Sequence, residues 1–379
     1  MELDTCALPG PAPEPARPAV PTYSGTPALA DLTTLHVGGP AARYVETTTE
    51  AELVGTVRAA DAAGEPLLVL GGGSNVLVGD AGFPGVVVRD VRGGIDVPDA
   101  SACGGVTVTV PAGTVWDDVV AYAVDHGLVG VEALSGIPGS TGATPVQNVG
   151  AYGQEVAQTV AQVRVWDRGR GRVRTLPFVT LGFGYRTSVL KRSMRPDPAD
   201  HAAPWGPTPR YVVLDVTFQM KEGSLSAPVA YPELARALDV AVGERAPLAE
   251  VRAAVLALRS RKGMVLDPAD HDTWSAGSFF TNPVLPDADA LPADAPRWPM
   301  PDGAVKTSAA WLIEHAGFTR GFGGPGPAAL STKHTLALTN RGDARADDLL
   351  ALARTVRDGV RDRFGVVLEP EPVLVGVTL

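Results

Sequence analysis

Apolar and polar residues follow two different periods along this chain, and the changes of period predict its elements. After Thr49, which has Glu52 three residues further on, apolar residues recur at helical spacing until Gly64. This pattern predicts a helix with a capping box and a glycine stop. Apolar runs at residues 67–70 and 86–89 predict strands, so the first region has β-α-β-loop-β organisation.

A second pattern begins with strict alternation at residues 106–110, typical of a strand with one buried face. A helix is expected next, capped by Thr114 and ended by Gly127. Further apolar segments predict a hairpin with a glycine turn and then one more strand: residues 163–166, 172–176 and 211–218. A proline-rich insertion at residues 193–209 precedes the last of these strands.

The last third of the chain has a different pattern, in which amphipathic helices alternate with short strands. The helices are predicted at residues 247–262, 308–315 and 346–364, and the strands around Phe279, Leu336 and Val373. This mixture predicts a separate α+β domain. The predicted organisation is a proline- and alanine-rich flexible tail, two subdomains and a C-terminal domain: residues 1–26, 27–92, 93–224 and 225–379.

Composition narrows the class of protein. With 379 residues, 45% hydrophobic and 20% charged, the chain is long enough for two or three globular domains. Its net charge of -10 argues against binding to nucleic acid or to an anionic membrane, since both require a basic face. It has two cysteines, Cys6 and Cys103, and no apolar run approaching the roughly 20 residues of a membrane helix. A cytoplasmic protein without a disulfide framework or signal peptide is therefore expected.

Two glycine-rich segments, residues 71–75 and 135–153, are the main candidates for a ligand site. They offer backbone amides, hydroxyls and side-chain amides but no net charge. The first follows a strand and could bind a pyrophosphate, although it matches neither the Walker nor the Rossmann spacing. The ordinary alternative for the second is a long surface loop. A literal G-x-G-x-x-G at residues 321–326 contains Pro325 and lacks a βαβ frame, so we interpret it as chance.

Three side chains stand out, and each has an ordinary alternative. Arg186 could be a solvated or salt-bridged arginine, and Glu371 could be a surface charge. Ser278 could be an ordinary serine at a strand edge, because no G-x-S-x-G motif of a hydrolase nucleophile surrounds it. Residues 267–272 contain aspartates and a histidine, but their spacing matches no known metal site. We therefore expect a flexible acidic loop there and no bound metal.

Six motifs occur in order along the chain: GGGSNVLV at 71–78, SGIPGSTGATPVQNVGAYG at 135–153, FGYRTSVLK at 183–191, AGSFFTNP at 276–283, AAWLIEHAG at 309–317 and LEPE at 368–371. Together they resemble the UDP-N-acetylenolpyruvoylglucosamine reductases of bacterial cell-wall synthesis. The resemblance extends over about residues 30–379. Each motif is weak alone, but the ordered set is specific.

This resemblance implies an α+β fold. Residues 27–92 and 93–224 would form a two-part FAD-binding domain of the vanillyl-alcohol-oxidase (PCMH) type, and residues 225–379 a substrate domain whose final strand is catalytic. FAD would bind without a covalent link, and NADPH would reduce it. The reduced flavin would pass hydride to the enolpyruvyl ether of a UDP-sugar, giving UDP-N-acetylmuramate. A monomer is expected.

The resemblance also implies residue roles. Arg186 and a protonated Glu371 would stabilise an enediolate, and the Ser278 hydroxyl would supply the final proton. Residues implied to hold FAD are Gly71, Gly72, Gly73, Ser74, Asn75, Ser135, Gly136, Ile137, Pro138, Gly139, Gly142, Gln147, Asn148 and Gly150. Residues implied to contact substrate are Tyr231, Lys262, Asn282 and His334. Lys262 suits a diphosphate, although a lysine at a helix end also complements the helix dipole.

Two alternatives remain open from the sequence. One is a flavin oxidase of the same fold; many of these tether FAD through a histidine, which residues 71–75 lack. The other is a nucleotide-sugar-binding protein that has lost its flavin. The chain departs from the family pattern in its tail, in the insertion at 193–209 and in the wider spacing between Lys262 and Ser278.

Overall fold

The computed structural model describes residues 26–100, 104–195, 205–287, 291–300 and 302–379. The predicted tail therefore lies outside the described residues except for Thr26. Cys6 and Cys103 also lie outside them, as do residues 196–204 of the predicted insertion.

The first region contains a parallel sheet with one helix against it. Its elements are β1 (Ala41–Thr47), α1 (Glu50–Ala63), β2 (Leu67–Leu70), β3 (Val76–Val78) and β4 (Phe83–Asp90). The strands β1, β4 and β2 pair in that order. The predicted capping box is confirmed, because the Thr49 hydroxyl accepts from the Glu52 amide at 3.2 Å and Glu52 accepts from the Thr49 amide. The predicted stop is confirmed by Gly64, which adopts the left-handed conformation that glycine tolerates best.

The second region is built on an antiparallel sheet. Its elements are β5 (Asp96–Asp99), β6 (Val106–Pro111), α2 (Trp116–Asp125), β7 (Leu128–Val129), α3 (Thr144–Gln147), β8 (Gly150–Ala151), β9 (Gln154–Glu155), β10 (Val160–Asp167), β11 (Arg172–Pro177), α4 (Phe178–Leu181), α5 (Val189–Arg192) and β12 (Tyr211–Glu222). The strand order is β11-β10-β12-β6-β5, with β7 beside β12. The predicted hairpin is confirmed as β10 and β11. The alternating valines of β6 are buried on one face and pack against α2.

The predicted cap of α2 is wrong. The residue before the helix is Val115, and no side chain caps it. The Thr114 hydroxyl instead donates to the Gly94 carbonyl at 3.2 Å, and its own carbonyl accepts from the Thr141 amide at 2.8 Å. Thr114 therefore ties the glycine-rich segment to the start of α2.

The third region contains α6 (Pro232–Leu238), α7 (Leu248–Arg261), β13 (Val284–Leu285), β14 (Arg297–Pro299), β15 (Val305–Thr307), α8 (Ala309–His315), β16 (Ala328–Leu330), β17 (Leu338–Asn340), α9 (Ala346–Phe364) and β18 (Val373–Val375). The strand predicted around Leu336 is confirmed as β17, which begins at Leu338. The strand predicted around Phe279 is reduced to an isolated bridge between Phe280 and Pro370. The Phe279 amide donates to the Leu336 carbonyl at 2.8 Å. The Phe279 side chain is buried in the hydrophobic core formed with α8, α9 and β16–β17, and the Leu336 side chain packs against that core.

The final strand, β18, pairs with a strand from the first region of the chain. β18 runs parallel to β3, and the pairs begin at Val373 and Val76. The predicted division at residue 225 assigned this strand to the C-terminal domain, whereas its backbone partner belongs to the first region. Because the Val373 amide donates to the Asn75 carbonyl at 3.0 Å, Glu371 is brought beside the first glycine-rich loop.

Candidate functional site

A cavity of about 520 Å³ lies where the three regions meet. This volume falls within the range of ordinary ligand sites. Part of its wall comes from the loops of residues 71–75 and 137–142, which we call the glycine cradle. Another part carries ionisable side chains, which we call the charged end: Arg186, Lys191, Arg259, Lys262, His334 and Glu371.

The two loops of the glycine cradle pack directly on each other. A methyl group added at Gly72 would lie 2.6 Å from the Gly139 Cα, and the Ser74 hydroxyl donates to the Pro138 carbonyl at 2.7 Å. Behind them, a methyl group on Gly142 would lie 2.5 Å from the Ala112 Cβ. Such contacts exclude any larger residue, so the wall is mostly backbone. A backbone wall of this kind fits an extended uncharged or anionic cofactor.

Most of the residues predicted to hold FAD line the cavity. They are Gly71, Gly72, Gly73, Ser74, Asn75, Ile137, Pro138, Gly139, Gly142, Gln147 and Gly150. Three others do not line it, because their polar groups face the protein. The buried Ser135 hydroxyl donates to the Glu132 carbonyl, the Gly136 amide donates to Asp117, and the Asn148 side-chain amide donates to Glu155 and to the Gly184 carbonyl. These three residues shape the loop from behind.

Arg186 is held in place by backbone carbonyls. Its Nη2 donates to the Gly150 carbonyl at 2.7 Å and its Nη1 to the Asn148 carbonyl at 3.3 Å, while its Nε lies 3.2 Å from Glu371 Oε1. Its backbone has φ of 52°, a left-handed conformation that costs free energy for a residue with a side chain. The surrounding contacts maintain this strain, which is common where a side chain must be aimed at a ligand.

Glu371 is an acceptor in this arrangement. Its Oε1 accepts from Gln147 Nε2 at 2.9 Å as well as facing Arg186 Nε. The hypothesis from the sequence had a protonated Glu371 donating a hydrogen bond. Both contacts make Oε1 an acceptor and orient Glu371 against Arg186, and the protonated form implied by the resemblance stays a prediction.

Ser278 lines the cavity and is half-buried. It follows Gly277, whose φ is 74°. The next carbonyl, that of Phe279, accepts from the Glu371 amide at 2.8 Å, so Ser278 and Glu371 lie on adjoining segments. The described part of the chain offers the Ser278 hydroxyl no hydrogen-bond partner, which leaves it available to a ligand.

Three of the four predicted substrate contacts meet at the cavity. Lys262 forms an ion pair with Glu233 and lies 5.5 Å from the Tyr152 ring, which Tyr231 contacts edge-on. Burial, with Lys262 and Arg320 nearby, lowers the pKa of His334 to about 4, so its imidazole is neutral at pH 7. Asn282 does not line the cavity, because its side-chain oxygen accepts from the Ala309 amide at the start of α8.

Two cavity residues were missed from the sequence. Arg259 is partly exposed as a whole, but desolvation of its guanidinium lowers its pKa to about 10, and within the described residues its buried Nε has no hydrogen-bond partner. Burial likewise lowers the pKa of Lys191 to about 8, against the opposing effect of Glu371. Each had a signal: Arg259 precedes Lys262 by three residues on the same helical face, and Lys191 ends the FGYRTSVLK motif.

The aspartates of residues 267–272 have structural roles. Asp272 is buried and accepts from the Thr332 amide and from Arg341, while Asp270 pairs with Lys333. These contacts order the loop that was expected to be flexible. In the described ranges no group of three or more histidines, cysteines and acidic residues is arranged to hold a metal ion. No helix in the described ranges is long and apolar enough to cross a bilayer.

Family models match two parts of the chain. Residues 41–177 match an FAD binding domain, and residues 267–375 match the C-terminal domain of UDP-N-acetylenolpyruvoylglucosamine reductase. Curated proteins with that reductase name include one from Cutibacterium acnes, 56% identical over 353 residues and covering 93% of this chain and 90% of the relative. Another, from Nocardia farcinica, is 58% identical over 364 residues, covering 93% and 89%. The chain belongs to the UDP-N-acetylenolpyruvoylglucosamine reductase family.

A solved member of this reductase family, from Thermus caldophilus, has the same architecture. It is 28% identical, with a TM-score of 0.60 over 93% of this chain and 98% of the other. The fold is therefore α+β, with an FAD-binding part of the PCMH type and a C-terminal α+β part. Membership makes this chain an FAD-binding oxidoreductase, so the alternative of a flavin-free binding protein has no support.

Proposed function

We propose that this chain reduces the enolpyruvyl ether of UDP-N-acetylglucosamine to UDP-N-acetylmuramate, the reaction expected in peptidoglycan synthesis, with NADPH as the reductant. The observation that carries the proposal is the meeting of Arg186, Ser278 and Glu371 on the wall of one cavity, beside the glycine cradle. The relatives' name supports the substrate.

Residues 71–75 and 137–142 would hold FAD without a covalent link, and the closely packed glycines fit that role. When bound, the flavin supplies hydride chemistry at the vinyl group. No histidine occurs in residues 71–75, which argues against a tether in this loop. Residues 225–379 would supply most of the substrate contacts, with Lys262 and Arg259 facing the diphosphate and Tyr231 covering the substrate.

The chain's own residues would stabilise the negative charge that develops in the reaction and donate one proton. Hydride addition to the terminal vinyl carbon breaks the double bond and places negative charge on the adjacent carbon and the carboxylate beside it. Arg186, oriented by Glu371 and by two carbonyls, would stabilise that charge. Ser278 would then transfer its hydroxyl proton to the adjacent carbon, completing the addition of two hydrogens.

Anaerobic stopped-flow measurement of the two half-reactions tests the proposal. In Ser278→Ala, reduction of the flavin by NADPH should stay near wild type, while reoxidation by the enolpyruvyl sugar should slow by about 10²- to 10⁴-fold. Thr281→Val, a nearby change off the cavity wall, is the matched control. Equal slowing of both half-reactions in Ser278→Ala would contradict the role of Ser278. A wild-type enzyme whose reduced flavin is not reoxidised by this sugar would contradict the proposed function.

A further inference from the structure

Lys191 is a partly buried cation for which the proposed reaction has no role. It lies on α5 and reaches the cavity wall beside Glu371. Its Nζ donates to Gln147 Oε1 at 2.5 Å and lies 3.4 Å from the backbone carbonyl of Glu371. A buried ammonium carries a desolvation penalty, so its contacts have to compensate for that cost.

These contacts determine which way the Gln147 side chain faces. An ammonium only donates hydrogen bonds, so it must meet the oxygen of the amide. The amide nitrogen is then turned to the opposite side, where Nε2 donates to Glu371 Oε1 at 2.9 Å. Without the ammonium, the contact with Glu371 would have to orient the amide without help from the other side, so the Gln147 side chain and the carboxyl that it meets would be held less firmly.

Glu371 is thus fixed at both its side chain and its backbone. Oε1 meets Gln147 Nε2 and Arg186 Nε, the backbone carbonyl meets Lys191, and the backbone amide donates to Phe279. We propose that Lys191 is a positioning residue that acts through Gln147 to hold the Glu371 carboxylate against Arg186. The orientation of the amide stands on contacts within this chain, and only its kinetic consequence rests on the proposed function.

The charge of Lys191 makes the proposal sensitive to pH. Burial lowers the pKa of Lys191 to about 8; among the charged groups that face it, Glu371 opposes this effect and Arg195 and Arg186 add to it. A deprotonated amine also accepts hydrogen bonds, so above that pH it no longer dictates the orientation of Gln147. The Gln147 amide, and with it the Glu371 side chain, should therefore be held less firmly as the pH rises from 7 to 9.

NMR of the FAD-loaded protein tests the orientation directly. The chain has five glutamines, Gln147, Gln154, Gln158, Gln162 and Gln219, so selective ¹⁵N labelling gives few side-chain amide signals. Loss of one signal pair in Gln147→Met assigns Gln147. In the wild type this pair should shift with a midpoint near pH 8. In Lys191→Met the pair should already be displaced at pH 7 and show no midpoint there.

Two further variants complete the amide measurement. Lys191→Arg keeps a permanent donor, so its Gln147 signal should resemble the wild type at pH 7 and show no midpoint below pH 10. Arg192→Met removes the next cation on the same short helix, whose guanidinium donates to the Gly182 carbonyl, and should behave as the wild type. An unchanged Gln147 signal in Lys191→Met would overturn the proposal. If that variant does not fold, a wild-type signal that stays constant from pH 7 to 10 would overturn it equally.

The half-reactions give a second, independent result. Lys191→Met should slow reoxidation of the flavin by the enolpyruvyl sugar about 10- to 100-fold, because Arg186 loses its fixed partner. Reduction by NADPH should stay within about twofold, and Lys191→Arg should recover most of the lost rate. Reoxidation at the wild-type rate in Lys191→Met would overturn the positioning role. If the wild-type flavin is not reoxidised by this sugar at all, the proposed function fails, and the Gln147 signals still decide the role of Lys191.

Discussion

The glycine cradle and the charged end are walls of one cavity, yet they are built in opposite ways. In the cradle, backbone atoms form the surface, and two loops approach so closely that side chains would not fit between them. At the charged end, long side chains reach in from several elements. Arg186 is held by Glu371, Lys191 by Gln147 and Lys262 by Glu233. Recognition by the cradle should therefore depend on shape, and recognition by the charged end on charge and hydrogen-bond geometry.

The difference teaches how each wall tolerates change. A backbone surface contains no group that titrates near neutral pH, so its binding should vary little with pH or salt. The charged end contains buried groups with shifted pKa values, including Lys191, Arg259 and His334. Perturbed ionisable groups gathered in a cleft are typical of functional sites.

The largest expected effect is that of changing Arg186, which should impair the charged end and leave FAD binding by the glycine cradle intact. Arg186→Lys keeps the charge but removes the three-nitrogen fork that meets Gly150, Asn148 and Glu371. We expect FAD to stay bound and NADPH to reduce it normally, while reoxidation by the enolpyruvyl sugar slows about 10²- to 10³-fold. Anaerobic stopped-flow absorbance measures both steps, with Arg192→Lys as the control. Loss of FAD from Arg186→Lys would show that the two walls are not independent.

The next effect concerns the cradle. Gly72→Ala places a methyl group against the Gly139 backbone, so the two loops must move apart. Overpacking of this kind costs about 1–3 kcal/mol, which would weaken FAD binding by up to about 100-fold. Flavin absorbance of the purified protein and titration with FAD measure the loss. Gly55→Ala, where an added methyl group meets nothing within 4 Å, is the matched control and should keep its flavin. Tight FAD binding in Gly72→Ala would contradict the close-packed cradle.

Arg259 gives a smaller and more selective test. Arg259 lines the cavity, and within the described residues its buried Nε has no hydrogen-bond partner, so removing the side chain should cost ligand affinity more than stability. In Arg259→Met we expect the UDP-sugar to bind about 10-fold more weakly, with FAD retained and the melting temperature equal or higher. Calorimetric titration and thermal unfolding measure these quantities. Arg261→Met, an exposed neighbour on α7, is the control. A large drop in melting temperature without a change in affinity would make Arg259 structural.

The smallest expected effect is a pH dependence of stability. Burial lowers the pKa of His334 from its ordinary value of 6.5 to about 4 in the folded protein, so the unfolded chain binds more protons between these pH values. Stability should therefore fall as the pH drops, by about 1 kcal/mol between pH 7 and 5.5 from this residue. Urea unfolding of the wild type and His334→Asn at both pH values measures the difference, with the exposed His315→Asn as the control. The same pH dependence in wild type and His334→Asn would contradict the burial of a neutral imidazole.

Local features could be predicted from the sequence because they depend on neighbouring residues. The capping box at Thr49 and Glu52, the hairpin of β10 and β11 and the bounds of α9 all follow from short-range periodicity, capping and turn chemistry. The motifs also identified residues from both loops of the cradle. Where an adjacent tertiary contact competed, local chemistry misled, as at Thr114, whose hydroxyl and carbonyl bind other loops instead of capping α2.

The sequence alone therefore determined the local elements, the glycine-rich loops and, through its ordered motifs, the family resemblance. Only the tertiary structure decided which of these residues share a wall. The pairing of β18 with β3 joins segments about 300 residues apart and carries Glu371 to the first loop. The same folding turns Ser135 and Asn148 away from the cavity and buries Lys191 against Gln147. Long-range strand pairing and burial depend on which surfaces meet, and no short-range periodicity encodes that.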